Sequence, residues 1–88
     1  MKTSKKDRPL SAVAMLTRDI IRAIVDRPED VGVTEVSGHQ ATVIEVRVGR
    51  EDLAKVIGRK GRTAQALREL LVNFGGKTHR RYILEIID

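Results

Sequence analysis

Apolar side chains recur at spacings of three and four between residues 10 and 26, which is the period of one helix face. The residues on this stripe are Val13, Leu16, Ile20 and Ile24. Ala14, Ile21 and Val25 widen the stripe beyond the needs of one sheet face, which leaves open a partner contact as well as a wide core face. Pro28 disfavours helical geometry in the residue before it, so the pattern predicts a helix over residues 10–26.

Two strand-like segments, residues 31–37 and 41–48, flank the polar turn Gly38-His39-Gln40. In the second segment the positions expected to be buried are Thr42, Ile44, Val46 and Val48. The alternate positions, expected to face water, are Val43, Glu45 and Arg47. This alternation predicts a hairpin with one solvated face, and it makes His39 a solvated turn residue rather than a ligand or a base.

The second half of the chain contains two helical patterns and one strand pattern. Residues 51–57 predict a short helix whose first turn carries Glu51 and Asp52, where the helix dipole favours acids. A longer helix follows and ends at Gly75-Gly76. Its apolar side is formed by Ala64, Leu67, Leu71 and Phe74. Residues 81–87 alternate as a third strand, so the order α-β-β-α-α-β predicts an α+β fold with three helices on one face of a three-stranded sheet.

Length and composition limit the functions open to the chain. Its 88 residues suffice for one small domain, placed at residues 10–88 after a flexible basic tail at residues 1–9. The absence of cysteine excludes disulfides and thiolate metal sites, and His39 and His79 are isolated, so we expect no metal, no cofactor and no enzymatic activity. Neither a membrane-spanning apolar run nor a signal-peptide pattern is present, which predicts a cytoplasmic protein without a membrane span.

Positive charge is concentrated in two short segments. The net charge is +5, and residues 47–62 carry six basic side chains against two acidic ones, while residues 77–81 carry three basic side chains. Residues 9–46, in contrast, have an acidic excess. Such a separation creates a local positive field that attracts phosphate groups. A solvated charged surface is the alternative interpretation of the same pattern.

The glycine-bounded turn Gly58-Arg59-Lys60-Gly61 joins the two predicted helices. The N-terminus of the second helix offers free backbone N–H groups to an anion, and glycines allow a phosphate chain to approach closely. Arg59 and Lys60 add two cations at the same place. The spacing alone is weak evidence in a chain with seven glycines, but its position between two helical patterns, directly after Val56-Ile57, makes it specific. The corner therefore suits a sugar-phosphate chain.

The segment from Val56 to Arg62 resembles the V-I-G-x-x-G signature of KH domains, and the order of elements is similar to the type II arrangement. The segment from Glu51 to Gly58 and the ending Leu84-Glu85-Ile86-Ile87-Asp88 resemble the KhpA-like family of small bacterial RNA-binding proteins. The resemblance implies that the loop contacts the backbone of about four nucleotides of single-stranded RNA while bases lie in an apolar groove. The residues expected to take part are Lys55, Val56, Ile57, Gly58, Arg59, Lys60, Gly61, Arg62, Lys77 and Arg81.

Within that resemblance, Val56 and Ile57 help to floor the groove, with one of the two serving mainly as core, and Lys77 or Arg81 approaches from its far side. The resemblance also implies an RNA chaperone or post-transcriptional regulator with effects on cell elongation and envelope synthesis. Its implied partners are single-stranded RNA, a second copy of the chain, and a larger Jag-type KH protein.

Three other functions are weighed against this one. RRM and cold-shock domains stack bases on several aromatic rings, whereas this chain has only Phe74 and Tyr82. Gly76-Lys77-Thr78 imitates the end of a phosphate-binding P-loop, but Leu71 stands where that motif requires glycine. The remaining alternative is a KH-like adaptor that acts through dimerisation without binding RNA.

Overall fold

The structure of the protein, a computed structural model, describes residues 9–87. Its helices and strands are, in chain order, α1 (Ala12–Ile24), β1 (Gly32–Ser37), β2 (Thr42–Arg47), α2 (Leu53–Ile57), α3 (Arg62–Thr78) and β3 (Tyr82–Ile87). Single 3-10 turns lie at Pro28–Asp30, Arg50–Asp52 and Arg59–Gly61. The predicted order α-β-β-α-α-β is confirmed. The predicted basic tail falls outside the described residues except for Pro9, and so does Asp88.

The three strands form one mixed sheet in the order β1-β2-β3. β1 pairs antiparallel with β2, and β2 pairs parallel with β3, with Ile44 opposite Leu84. A parallel pair needs a long crossover, and α2 and α3 supply it. The buried face of β2 carries Thr42, Ile44 and Val46, while Arg47 on the other face is exposed. The predicted hairpin with one solvated face is confirmed, and β3 forms an edge of the sheet.

The buried side of α1 differs from the stripe that the spacing suggested. The residues of α1 and its C-terminal end that are buried in the core are Ala14, Thr17, Ile21 and Val25. Leu16 and Ile24, by contrast, are 43% and 38% exposed. Thr17 faces the core, and its buried hydroxyl donates to the carbonyl oxygen of Val13 at 2.8 Å, which satisfies this polar group inside the core. The stripe predicted from Val13, Leu16, Ile20 and Ile24 therefore lies on the flank of the helix.

One serine fixes the start of α1 to the sheet. Ser11 is the N-cap residue, and its hydroxyl accepts the N–H of Ala14 at 3.2 Å. The same hydroxyl and the backbone N–H of Ser11 donate to the two carboxylate oxygens of Glu35, at 2.6 and 2.8 Å. Glu35 lies on β1, so this double hydrogen bond ties the helix to the edge strand.

The prediction that the last helix ends at Gly75-Gly76 is wrong. α3 continues to Thr78 and is capped by His79, which has a left-handed φ of 58°. Gly75 is buried inside the helix, and its carbonyl oxygen accepts the N–H of Arg80 at 3.1 Å. A Cβ at this position would overlap the carbonyl oxygen of Arg80. Glycine is therefore required because the chain crosses closely over the helix on its way to β3, and not because the helix stops there.

Candidate nucleic-acid interface

The loop between α2 and α3 is a sharp corner in which three of four residues have positive φ. Gly58 has φ 79° and ψ 171°, Lys60 has φ 56° and ψ 25°, and Gly61 has φ 74° and ψ 12°. The N–H of Gly61 donates to the carbonyl oxygen of Gly58 at 3.0 Å and closes the turn. Glycine adopts such angles without strain, which explains why the corner is bounded by glycines.

The two glycines of the corner have different roles. A Cβ on Gly58 would overlap the hydroxyl of Thr63 and lie 2.8 Å from its backbone nitrogen, and its backbone angles belong to a region open essentially to glycine alone. A Cβ on Gly61 would meet no atom within 4 Å. Gly58 is therefore a folding requirement, while the space beside Gly61 is open to an approaching ligand.

The corner presents positive charge at the beginning of a long helix. Gly61 is the N-cap of α3 and has no side-chain oxygen to accept the N–H groups of the first turn, and that turn carries no acidic residue. Arg59, Lys60 and Arg62 are all exposed there, and none forms an ion pair with another residue of the range 9–87. The backbone N–H donors, the helix dipole and the three cations thus all favour an anion at the start of α3.

Lys55, which was expected to join this cluster, is engaged elsewhere. Its ammonium group lies 2.7 Å from a carboxylate oxygen of Asp26 and 3.5 Å from one of Asp52. The hydrogen bond to Asp26 raises the pKa of Lys55. These contacts connect α2 to the end of α1, and the expected contact of Lys55 with RNA stays a prediction.

Asp52 is the buried centre of that attachment. Its side chain is 2% exposed and accepts the backbone N–H groups of Asp26 and Arg27 at 3.1 and 3.0 Å. The hydrogen bond from the N–H of Asp26 lowers the pKa of Asp52, and burial opposes that change. Asp52 stands at the beginning of α2, as predicted, and its carboxylate also binds a segment that lies 26 residues earlier in the chain.

Of the two adjacent apolar residues at the end of α2, Val56 lies in the core and Ile57 lies at the surface. Val56 is completely buried in the core cluster, so it is the one of the two residues that serves mainly as core. Ile57 is 39% exposed and lines a groove of about 490 Å³ beside the corner. The residues around this groove are Leu53, Ile57, Gly61, Ala64, Arg68 and Ile86. The structure thus places a cleft with both polar and apolar lining directly next to the cationic loop.

Lys77 and Arg81 lie at the opposite end of α3. Both are exposed, and Lys77 belongs to the last turn of the helix. Because a helix rises about 1.5 Å per residue, Lys77 lies about 24 Å along the axis from Gly61. Arg81 lines other cavities in which the corner takes no part. These two residues are not brought together with residues 58–61.

Comparison with known proteins assigns the chain to a family. A family model described as "KhpA/KhpB, KH domain" matches residues 15–86. The chain belongs to the KhpA/KhpB family of KH domains. It is 47% identical over 72 residues to a protein of Caldanaerobacter subterraneus named "RNA-binding protein KhpA", covering 82% of this chain and 96% of that protein.

Two further relatives in this KhpA/KhpB family carry the same name. The protein of Treponema pallidum is 49% identical over 69 residues, which cover 78% of this chain and 86% of the relative. The protein of Aquifex aeolicus is 40% identical over 79 residues, covering 90% of this chain and the whole of the relative. The predicted resemblance is confirmed, and so is the prediction that the chain is not an enzyme, since the matched members of this KH family are named as RNA-binding proteins.

Two residues at this site of the KhpA/KhpB-family chain, Arg68 and Thr63, were not predicted from the sequence. Arg68 lines the groove although it follows Gly61 by seven positions. The spacing of Arg68 from Gly61 and Ala64 could have predicted its position at the groove, because residues three and four apart share one helix face. Thr63, which packs against Gly58, gave no such signal. Among residues 9–87, no helix is long and apolar enough to cross a membrane, and no group of three acidic or histidine residues is placed to hold a metal ion.

Proposed function

We propose that this protein binds single-stranded RNA at the corner formed by residues 58–61. The observation that carries the proposal is the juxtaposition of an exposed cationic turn, an N-terminus of α3 without a side-chain cap, and an adjoining groove lined in part by aliphatic side chains. Each feature matches one part of a nucleotide, since the phosphate is anionic and the base is largely apolar on its faces. Relatives named RNA-binding proteins support the same function.

In this proposal the phosphates lie over Gly61, where no side chain blocks the approach, and interact with N–H groups of the first turn of α3 that follow Arg62, whose own N–H donates to the carbonyl oxygen of Arg59. Arg59, Lys60 and Arg62 neutralise their charge. The bases enter the groove and pack on Ile57 and its neighbours. Because the groove contains no aromatic ring, base contacts are aliphatic, and we expect weak affinity with little base selectivity from stacking.

The wider role follows from the same proposal. A small RNA binder without catalytic groups fits an RNA chaperone or a post-transcriptional regulator that acts in the cytoplasm. Effects on cell elongation and envelope synthesis remain predictions that follow from the family resemblance, as does pairing with a second copy or with a larger Jag-type KH protein.

The adaptor function remains the second candidate because of one feature of α1. Met15, Leu16 and Ile24 are exposed apolar side chains on this helix. Exposed apolar side chains in a small domain favour a protein contact. This surface is separate from residues 58–61 in sequence, so RNA binding and protein contact are compatible on one chain.

The experiment compares binding of single-stranded RNA by the native chain and by Arg59→Asp/Lys60→Asp, titrated against salt. Aspartate tolerates the left-handed backbone of position 60, and both side chains are exposed, so the variant is expected to fold. If three or four phosphates are neutralised, log K falls with log salt at a slope of about −2 to −3 in the native chain. Loss of two contacts makes that slope shallower by about 1.4 and sharply weakens binding.

A matched control changes the same amount of charge away from the corner. Arg22→Asp/Arg47→Asp replaces two exposed arginines, one on α1 and one on the outer face of the sheet. This control should lose affinity only through its net charge and should retain most of the salt slope. Equal RNA affinity in the native chain and in Arg59→Asp/Lys60→Asp would overturn the proposal and favour the adaptor.

A further inference from the structure

A polar cavity of about 290 Å³ lies at the end of the sheet where β1 turns into β2. Its walls are residues 38–42, which contain that turn, and residues 79–81, which connect α3 to β3. None of these residues lines the groove beside the corner. Because a helix rises about 1.5 Å per residue, His79 lies about 27 Å along the axis of α3 from Gly61. The cavity is therefore separate from the site of the proposed function.

Two backbone hydrogen bonds hold the walls of this cavity. The N–H of Thr42, at the start of β2, donates to the carbonyl oxygen of Arg81 at 2.8 Å and joins the two walls. The N–H of Gly38 donates to the carbonyl oxygen of Ala41 at 2.8 Å and closes the turn. Side chains from two distant segments of the sequence thus line the same space.

The side chains of this cavity are basic or titratable. His39, His79, Arg80 and Arg81 are exposed, and none of them forms an ion pair with a residue that the structure describes. Of those residues, no aspartate or glutamate lines the cavity. The arginines are permanent cations, and a protonated histidine adds charge and a second N–H donor. The exposure of His39 agrees with the predicted solvated turn residue, and only the fold brings it into one cavity with His79.

This lining favours a phosphate group over a base. Ala41 is the only apolar residue with a side chain among those that form the walls, so a base would find little apolar surface. A phosphate monoester carries close to two negative charges and three acceptor oxygens at neutral pH. Two guanidinium groups balance that charge and donate paired N–H groups to such oxygens. A phosphate within a nucleic-acid strand carries one charge only and brings a nucleoside on each side, so it suits this cavity less well.

We propose that residues 38–42 and 79–81 form a second anion site, which binds a phosphate monoester dianion. Arg80 and Arg81 bind its oxygens, and His39 and His79 donate further hydrogen bonds when they are protonated. Two sources present this same group, the phosphorylated end of an RNA strand and a free phosphorylated small molecule. The proposal does not depend on RNA binding at residues 58–61.

The first experiment follows the backbone amide signals of the native chain by NMR during titration with uridine 5′-monophosphate at about pH 7.5, where its phosphate is a dianion. Each residue gives its own signal, so binding at residues 38–42 and 79–81 is distinguished from binding at residues 58–63. Arg80→Gln/Arg81→Gln should bind about twentyfold more weakly at this cavity, because each unit charge lost about 4 Å from the ligand in water costs about fivefold.

A matched control removes two arginines that lie outside the cavity. Arg22→Gln/Arg47→Gln changes two exposed side chains, one on α1 and one on β2. It should bind uridine 5′-monophosphate within about twofold of the native chain, because these charges act on the cavity only through the net charge. The amide spectrum of each variant also shows whether it is folded.

The histidines are tested with sulfate, which keeps two negative charges from about pH 5.5 to about pH 8, the range in which histidine changes its charge. We expect the native chain to bind sulfate more tightly at the lower pH, by about fivefold for each histidine that gains a charge. His39→Gln/His79→Asn should lose this dependence on pH, and asparagine suits the left-handed backbone of position 79. This variant is specific because Arg80 and Arg81 also line a neighbouring cavity, whereas the two histidines do not.

Two strands then identify the source of the phosphate. Oligouridines of about four nucleotides are compared with and without a 5′-phosphate. Signals of residues 38–42 and 79–81 that move only with the phosphorylated strand, and less with uridine 5′-monophosphate, support the end of a strand as the ligand. Equal affinity for uridine 5′-monophosphate and the phosphorylated strand supports a free phosphorylated small molecule.

Other results would overturn the proposal. Signals that stay unchanged at the cavity, or that move equally in the native chain and in Arg80→Gln/Arg81→Gln, would show an exposed basic surface only. An equal loss in Arg22→Gln/Arg47→Gln would assign the binding to net charge. Sulfate affinity that does not depend on pH would exclude the histidines and overturn a site that contains them. If the arginine variant does not fold, the sulfate titration of His39→Gln/His79→Asn decides the question. Unchanged signals of residues 58–63 with both strands would overturn the proposed function alone.

Discussion

Thr63 occupies the space in which a side chain on Gly58 would have to lie. A Cβ built on Gly58 would overlap the Thr63 hydroxyl, and it would lie 2.7 Å from the Cβ and 2.8 Å from the backbone nitrogen of the same residue. The first turn of α3 is therefore packed directly on the corner that precedes it. Gly61, three residues later, has open space in the corresponding direction.

This asymmetry predicts that Gly58→Ala and Gly61→Ala lower the free energy of unfolding by different amounts. Gly58→Ala should lower the free energy of unfolding by about 3 kcal/mol or more, because both the backbone angles and the contact with Thr63 are unfavourable. Gly61→Ala should cost only about 1–2 kcal/mol, the penalty of a left-handed residue without overlap. Urea denaturation of the three proteins measures the difference. Equal losses for the two variants would contradict the packing of Thr63 on Gly58.

Lys60 holds a left-handed conformation that a lysine rarely adopts, and this creates a second prediction. Lys60→Gly removes the steric cost but adds chain entropy to the unfolded state, so the free energy of unfolding should be unchanged or up to about 1 kcal/mol higher. RNA binding should weaken at the same time. The salt slope of log K should become shallower by about 0.7, since one phosphate contact is lost.

Lys60→Gln serves as the control for this prediction, because it removes the charge and keeps a side chain at positive φ. It should show the same change in salt slope as Lys60→Gly and no gain in stability. A native salt slope in both variants would mean that Lys60 does not contact a phosphate, and would leave Arg59 and Arg62 as the cations of the corner.

The sequence was sufficient for the order of elements because the spacing of apolar residues is a local property. It was insufficient to predict which face of α1 is buried. In the sequence Thr17 resembles a surface residue, but in the structure it is buried, with its hydroxyl hydrogen-bonded within its own helix. The end of α3 was missed for a related reason. Gly75 resembles a terminating glycine, and only the approach of Arg80 shows that it serves close packing.

Part of the site could likewise be predicted and part could not. The corner at residues 58–61 has a sequence signature, because positive φ selects glycine at two fixed positions. The division between buried Val56 and exposed Ile57 depends on how α2 is rotated against the core, which two adjacent apolar residues do not specify. Lys55 is paired with Asp26, which is distant in sequence, so no local pattern could separate Lys55 from the cations of the corner, Arg59, Lys60 and Arg62, which are unpaired within residues 9–87.

Asp52 links α2 to the end of α1, and its titration predicts how stability depends on pH. The N–H groups of Asp26 and Arg27 and the nearby Lys55 lower the pKa of Asp52 in the folded state below its value in the unfolded chain. A lowered carboxyl pKa contributes stability that is fully present above the unfolded value, near pH 4, and is lost as the pH falls through the folded value. Acid should therefore weaken this attachment.

The test replaces the carboxylate by an amide of the same shape. Asp52→Asn should unfold at a lower urea concentration than the native chain at pH 7, because an amide nitrogen faces a backbone N–H in place of a carboxylate oxygen. The difference between the two proteins should narrow below about pH 4, where the native carboxylate becomes protonated. Glu51→Gln, at an exposed neighbouring position, should differ little from the native chain at either pH. A gap between Asp52→Asn and the native chain that stays constant down to about pH 2 would show that the attachment does not depend on the charge of Asp52.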